Sequence, residues 1–125
     1  LGPAMVLRHF LPLLDPQGAM ALLSAKVGSI GDNRLGGWYA YRASKAALNM
    51  LVKTAAIELA RRKPRARLLS LHPGTVQSKL SQPFSGRAAA RPAAQAAAEL
   101  LALIDRSEPA DSGGFFAYDG QRIPW

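Results

Sequence analysis

The sequence predicts an α/β fold in which helices alternate with the strands of a parallel sheet. Short apolar runs lie at 19–25, 67–71 and 114–118, and longer Ala- and Leu-rich stretches lie between them at 38–62 and 92–106. Hydrophobic residues make up 49% of the 125 positions, which allows one domain with its own core. Strands that alternate with helices in this way form parallel sheets with right-handed crossovers.

The first part of the chain predicts a helix, a strand and a loop. Residues 1–14 have a helical apolar pattern that Pro12 and Asp15-Pro16 bring to an end. Residues 19–25 form an apolar run of the length expected for a buried strand. Residues 28–37 are rich in Gly, Asp and Asn, which predicts a loop.

Each later element is bounded by a proline or glycine. Residues 38–62 predict a helix of about seven turns, which Pro64 closes. The strand at 67–71 ends at His72-Pro73-Gly74. Pro92 suits the first turn of the third helix, which precedes the last predicted strand.

Tyr41 and Lys45 are the pair that points most directly to chemistry. They lie four positions apart at the start of the helix predicted over 38–62, so they share one face of it. An ammonium held beside a phenol favours the phenolate, which produces a proton donor and acceptor usable near neutral pH. The structural alternative is that Tyr41 packs at the helix start and that Lys45 is solvated.

The predicted strand ends bring these residues to one edge of the sheet. The strands end near 24–28, 72–76 and 118–121. In open parallel sheets, binding and catalytic groups gather at the carboxyl ends of the strands. Tyr41 begins the helix that follows the first of these ends, so we expect a site at this edge.

Three segments carry a family resemblance. They read LLSAKVGSIGDNRLGGWYAYRASKAALNMLVK at 22–53, LSLHPGTVQSKL at 69–80 and GGFFAYDGQRIPW at 113–125. In order, they place a strand that ends near a serine, then Tyr-x-x-x-Lys, then Pro-Gly after the next strand. The chain thereby resembles the carboxyl-terminal half of a short-chain dehydrogenase/reductase, and within that family the C-factor-like subgroup. The resemblance covers nearly the whole chain.

The resemblance implies the carboxyl-terminal half of a Rossmann-type doubly wound parallel sheet, so that residues 1–125 form a partial domain. In the family, the amino-terminal half carries a Gly-rich turn that seats the cofactor pyrophosphate at a helix start. The glycines clustered between 28 and 37 lack the required spacing and the strand–turn–helix context. We therefore expect a fragment from which the nucleotide-binding half is absent.

The resemblance also implies an oxidoreductase that interconverts a carbonyl and an alcohol with NADP or NAD, which the sequence does not distinguish. Tyr41 would exchange a proton with the carbonyl oxygen, and Lys45 would assist Tyr41 and hydrogen-bond the nicotinamide ribose. The further expected cofactor contacts are Pro73, Gly74, Val76 and Ser78. The alternative is a non-catalytic C-factor-like signalling or interaction protein, or an inactive fragment.

One position departs from the family pattern. The catalytic serine of the family precedes a glycine by three residues, and here Ala25 takes that position ahead of Gly28. Ser29 is the favoured replacement, because a loop can turn its hydroxyl into the site. Ser24 is the second candidate, although successive strand side chains point to opposite faces. The third alternative is that no serine takes part.

Composition limits the partners. Without cysteine, the chain has no disulfide or thiolate metal site, and no metal-ligand cluster surrounds His9 or His72 in the sequence. The net charge is +8, but no nucleic-acid motif accompanies it. Residues 1–14 are too few for a membrane span. We expect a cytoplasmic protein with a small carbonyl or alcohol substrate, no metal, no membrane or nucleic-acid partner, and a tendency to form homo-oligomers.

Overall fold

The computed structural model describes residues 1–77, 79 and 90–125. Within them, three helices alternate with three strands, as the sequence predicts. The helices are α1 (Gly2–Phe10), α2 (Tyr39–Arg62) and α3 (Ala93–Arg106). The strands are β1 (Ala19–Leu23), β2 (Arg67–His72) and β3 (Phe115–Ala117).

The three strands form one parallel sheet in the order β1-β2-β3. Ala21 is level with Leu69 across the first pair, and Ser70 is level with Phe115 across the second. The central strand β2 has four consecutive buried residues, whereas no residue of β1 is buried. Among the described strands, β1 pairs only with β2 and is therefore an edge.

Alternate residues of β2 divide the core into two parts. Leu68 packs with residues of α1 and α2 on one face of the sheet, including Leu7 and Val52. Leu69 and Leu71 pack with residues of α3 and β3 on the other face. Because neighbouring strand side chains point to opposite faces, one strand supplies both packing surfaces. The fold is thus a sheet with helices on both sides.

Two predicted elements end earlier than the sequence suggests. The first helix gives way after Phe10 to a 3-10 turn over Leu11–Leu13, where Pro12 lacks the N–H that an α-helix needs. The first strand ends at Leu23 rather than Ala25, and a 3-10 turn begins at Lys26. No helix within the described ranges is long and apolar enough to cross a membrane.

The carboxyl-terminal residues fold back along β3. The Ile123 N–H donates to the Phe115 carbonyl over 2.8 Å, and the Trp125 ring stacks on the Phe115 ring with centroids 5.6 Å apart. The Gly31 N–H donates to the Trp125 carbonyl over 2.8 Å. The chain end thereby holds the loop that leads from β1 to α2.

Candidate active site

The carboxyl ends of the three strands are tied together at His72. The Lys26 N–H, just after β1, donates to His72 Nδ1 over 3.2 Å. The Tyr118 N–H, just after β3, donates to the His72 carbonyl over 2.9 Å. His72 therefore connects all three strand ends, and the structure confirms that they meet at one edge of the sheet.

The position of His72 favours its neutral form. Burial lowers the pKa of His72 below its ordinary value of 6.5, and the positive charge of Lys26 lowers it further. The carboxylates of Asp119 and Asp32 act in the opposite direction and are the weaker influences. Because Nδ1 accepts the Lys26 N–H, the ring proton belongs on Nε2. The sequence signals this histidine only by its place at a strand end.

Tyr41 and Lys45 lie in the first two turns of α2, on one face. The Lys45 ammonium is 5.9 Å from the centre of the Tyr41 ring. It donates to the carbonyl of Leu23 over 3.2 Å, at the end of β1. Tyr41 is 46% exposed, and its hydroxyl makes no hydrogen bond to any residue in the described ranges. The phenol is thus open to a bound molecule, with a fixed positive charge beside it.

Gly28 allows the turn after β1 to contact α2 directly. A Cβ atom at Gly28 would lie 2.7 Å from the Lys45 Cβ and 2.8 Å from the Lys45 carbonyl carbon. Carbon atoms that are not bonded to each other do not approach this closely, so a side chain at this position would separate the turn from the helix. The glycine places the backbone of Lys45 directly over the end of β1.

Arg42, which the sequence analysis did not single out, fastens the loop before α2. Its guanidinium donates to the carbonyls of Gly37 over 2.9 Å, Gly36 over 3.1 Å and Val27 over 3.2 Å. The chain enters the helix through Trp38, which has a left-handed φ of 50°. An arginine beside Tyr41 has no distinctive sequence signature, because its acceptors are main-chain carbonyls from other parts of the loop.

Ser24 and Ser29, the two serines proposed as substitutes, both donate their hydroxyl protons elsewhere. Ser24 Oγ donates to Asn49 Oδ1 over 2.7 Å in the interior. Ser29 Oγ donates to the carbonyl of Pro124, accepts the Asp32 N–H over 3.0 Å, and is 1% exposed. Each hydroxyl has one proton to donate. In this arrangement neither serine has a free donor for a substrate oxygen, which argues against the preference for Ser29.

Pro73 and Gly74 follow β2 and are held by Arg91. The Arg91 guanidinium donates to the Pro73 carbonyl over 3.0 Å, forms an ion pair with Glu99, and lies over the Tyr118 ring at 3.7 Å from its centre. Gly74 has a φ of 75°, and a Cβ there would lie 2.9 Å from the Tyr118 ring. Glycine adopts this backbone region without strain. Nothing in the sequence links Arg91 to this segment.

The segment after Gly74 returns to the same place. Val76 forms a parallel bridge with Arg91, and the Arg91 N–H donates to the Thr75 carbonyl over 2.8 Å. The Gln77 N–H donates to the Arg91 carbonyl over 2.9 Å. Ser78, the last of the expected cofactor contacts, lies outside the described residues.

Comparison with known proteins places this geometry in a family. The model of the family described as enoyl-(acyl carrier protein) reductase matches residues 1–123. A C-signal protein of Myxococcus xanthus is 41% identical over 129 residues, which cover all of this chain and 73% of that protein. A 1-hydroxy-2-glutathionyl-2-methyl-3-butene dehydrogenase of Rhodococcus sp. (strain AD45) is 38% identical over the whole chain and 54% of its own length.

Solved structures share the fold. The carbonyl reductase Sniffer of D. melanogaster superposes with a TM-score of 0.85 at 31% identity, over 98% of this chain and 52% of that one. An NADPH-bound carbonyl reductase from chicken fatty liver gives a TM-score of 0.84 at 26% identity, with the same coverage of 98% and 52%. The chain thus spans about half the length of most of these proteins. It belongs to the short-chain dehydrogenase/reductase family.

Proposed function

We propose that this chain is part of an NAD(P)-dependent oxidoreductase that interconverts a carbonyl and an alcohol, with Tyr41 as the acid and base. The observation that carries the proposal is the Tyr41–Lys45 arrangement. The phenol is exposed and makes no hydrogen bond to the described residues, and the ammonium is anchored at the end of β1, 5.9 Å from the ring centre. The carbonyl reductases of the same fold support this assignment.

The chain carries residues that suit the nicotinamide end of the cofactor. Tyr41 is exposed, the Lys45 ammonium is bonded at the end of β1, and Gly74 brings backbone without a side chain to the same edge of the sheet. We propose that these residues, with Pro73, Val76 and Ser78, hold the nicotinamide and its ribose. When bound, the cofactor supplies or accepts a hydride. NADP is favoured over NAD because solved relatives carry NADPH or NADP.

The chain's own residues manage the proton. In reduction, the Tyr41 hydroxyl donates its proton to the carbonyl oxygen, and in oxidation the phenolate accepts it from the alcohol. Lys45 stabilises the phenolate through its nearby positive charge. The Leu23 carbonyl restrains the ammonium, so the charge is in place before the proton moves.

Catalysis without a serine is the alternative that the geometry favours. Ala25 has no hydroxyl, and the protons of Ser24 and Ser29 are donated to Asn49 and Pro124. Loss of one oxyanion donor costs about 10²–10³ in kcat. We therefore propose slow turnover that depends on Tyr41 and Lys45.

The proposal concerns the protein that contains this chain and the remaining half of the sheet. A Gly-rich turn for the pyrophosphate is expected in that half. We place the reaction in the cytoplasm, with a small-molecule substrate and no nucleic-acid or membrane partner.

The test is Tyr41→Phe in the full-length protein, with oxidation of NADPH or NADH followed over a panel of ketones and aldehydes. We expect kcat to fall by about 10²–10⁴, the range for loss of a general acid. The matched control is Tyr39→Phe, since Tyr39 is 86% exposed and is the first residue of α2, two positions before Tyr41. A rate that Tyr41→Phe leaves unchanged contradicts the acid–base role.

The second candidate is a signalling or interaction role without catalysis. Two observations favour it: Ala25 in place of the serine, and a C-signal protein as a relative at 41% identity. The reading frame before Leu1 discriminates between the candidates. A Gly-rich strand–turn–helix there, together with a lowered kcat in Tyr41→Phe, supports the enzyme. A reading frame without that motif, and a protein without measurable carbonyl reduction, support the second role.

A further inference from the structure

A buried amide on α2 connects both neighbouring strands. Asn49 is 3% exposed. Its Oδ1 accepts a hydrogen bond from Ser24 Oγ over 2.7 Å, directly after β1, and another from Ser70 Oγ over 2.8 Å, within β2. Ser70 is fully buried, so water does not replace its partner. One oxygen atom thereby fixes the helix against two strands at once.

This cluster is a poor source of stability. Asn49 Nδ2 is buried and has no hydrogen-bond partner among the described residues. A buried donor left without a partner costs about 1–3 kcal/mol, which offsets what the two serine bonds contribute. Rotating the amide by half a turn would give Nδ2 two acceptors but would leave Oδ1 without a donor and would take from both serine hydroxyls the acceptor that they use here. An apolar side chain of similar volume would remove the unpaired Nδ2 but would take the acceptor away from the Ser24 and Ser70 hydroxyls.

The cluster lies on the helix face that carries the proposed proton donor. Tyr41, Lys45 and Asn49 are successive members of an i, i+4, i+8 series, so they lie on one side of α2. Lys45 Nζ is bonded to the Leu23 carbonyl, and Asn49 is bonded to Ser24, the next residue. A rotation or shift of α2 that broke the Asn49 bonds would also move the ammonium away from the end of β1.

We propose that Asn49, through Ser24 and Ser70, is a positioning residue that sets the rotation and the axial position of α2 and so places Tyr41 and Lys45. A hydrogen bond is directional, whereas apolar contacts of α2 with the sheet tolerate small rotations and shifts. Asn49 Oδ1 can accept from both Ser24 and Ser70 only when α2 has one particular rotation and axial position relative to the sheet. The effect on catalysis rests on the proposed function, whereas the placement of α2 by Asn49 does not.

The test compares Asn49→Leu with Asn49→Asp in the full-length protein. Leu removes the acceptor and keeps the volume, while Asp keeps an oxygen that both serines can reach. We expect Asn49→Leu to lower kcat about tenfold and to shift the pH profile of kcat, with little change in KM for the cofactor. The urea midpoint should also fall, because the buried Ser24 and Ser70 hydroxyls lose their acceptor. We expect the kcat of Asn49→Asp to stay close to that of the wild type and well above that of Asn49→Leu.

Val52→Ala is the matched control, because Val52 is fully buried on α2 and makes only apolar contacts in the core. It should lower the urea midpoint and leave the kcat of the folded protein unchanged. A role of Asn49 in packing alone would give the same pattern for Asn49→Leu. That result, a lowered urea midpoint with wild-type kcat and pH profile, overturns the proposal.

A second measurement does not depend on activity. Hydrogen exchange of the backbone amides of residues 43–50 should be about tenfold faster in Asn49→Leu than in Val52→Ala, when both are compared under conditions that give them the same global stability. If the wild-type protein reduces no carbonyl compound, this exchange difference still supports the positioning role while the proposed function fails. Exchange in Asn49→Leu that is no faster than in Val52→Ala overturns the positioning role whatever the activity. If Asn49→Leu does not fold, the Ser24→Ala and Ser70→Ala variants are measured in the same way.

Discussion

The cations around the site are held largely by main-chain carbonyls. Lys45 donates to Leu23, Arg42 to three carbonyls of its own loop, and Arg91 to Pro73. A carbonyl does not titrate, so these contacts keep their strength across the physiological pH range. His72 is different, because its imidazole accepts a hydrogen bond in the neutral form and loses that ability when protonated.

We predict that stability falls with His72 protonation. The folded-state pKa is lowered by burial and by Lys26, so below pH 6.5 the unfolded chain binds more protons than the folded one. Stability therefore rises with pH in this range and is lost as the pH falls from 6.5 through the lowered folded-state pKa. Urea midpoints measured at several pH values should show this slope. His72→Asn keeps an acceptor for the Lys26 N–H and should flatten it. Equal slopes in both proteins would contradict the prediction.

Position 25 lacks the hydroxyl that the family has there, and restoring it should raise activity. Ala25→Ser adds a hydroxyl where the family has one, and Ala25 has extended backbone that serine adopts without strain. We expect kcat for carbonyl reduction to rise about 10- to 100-fold, since one oxyanion donor is worth about 10²–10³. Ser29→Ala is the comparison, and it should lower the urea midpoint rather than kcat. If Ser29→Ala reduces kcat while Ala25→Ser has no effect, Ser29 is the functional hydroxyl after all.

At the scale of elements, α2 is the part of the fold that organises the site. Its first turns carry Tyr41 and Lys45, and its middle packs on the sheet through Leu48, Val52 and Ala56. The turn after β1 meets it at Gly28 with no space for a side chain. The site therefore depends on how closely this turn and the helix approach each other.

Gly28→Ala tests that close approach. A Cβ atom 2.7 Å from the Lys45 Cβ forces the turn and the helix apart, and we expect a loss of about 1–3 kcal/mol in the free energy of unfolding. The loss of stability should exceed that of Gly2→Ala, the control, because a Cβ at Gly2 meets no atom within 4 Å. Denaturant unfolding of both variants measures the difference, and equal stabilities would show that the turn can move without cost.

At the scale of the whole molecule, the described fold has an open strand edge and exposed apolar side chains on its helices. The edge strand β1 has no buried residue, and Leu23 at its end is 59% exposed. Large apolar side chains are exposed on all three helices, among them Phe10, Met50 and Leu101. Open strand edges and apolar patches favour association. Two of the relatives, the dehydrogenase of Rhodococcus sp. and the reductase Sniffer, are about twice as long as this chain.

We predict that the 125-residue chain by itself associates or aggregates and binds NADP and NAD weakly. The unpaired backbone of β1 promotes association, and a helix start for the pyrophosphate is expected only in the remaining half. Size-exclusion chromatography with cofactor titration measures both properties. Leu23→Lys places a charge at the β1 edge and should shift the chain towards monomer, whereas Leu35→Lys, in the exposed loop, should not. A monodisperse wild-type monomer that binds cofactor tightly would refute the prediction.

The sequence by itself determined the order and type of the elements and the Tyr41–Lys45 pair. These features are determined by residues that are close together in the sequence. They are the apolar periodicity, the prolines and glycines at element ends, and the spacing of four residues on one helix. The confirmed strands and helices differ from the predicted ones by a few residues at their ends. The same local pattern predicted that the candidate residues meet at the edge of the sheet formed by the carboxyl ends of the strands.

Only the tertiary structure decided what each polar group contacts. Ser29 lies in the loop before Tyr41, yet its hydroxyl donates a hydrogen bond to the carbonyl of Pro124, 95 positions away in the chain. Ser24 and Ser70 meet at Asn49 because two strands and a helix converge there. A side chain can reach many acceptors, and the one it uses depends on which distant segments pack beside it. Spacing along the chain does not show which distant segments pack together. The sequence therefore could not decide whether Ser24 or Ser29 has a hydroxyl proton free for a substrate.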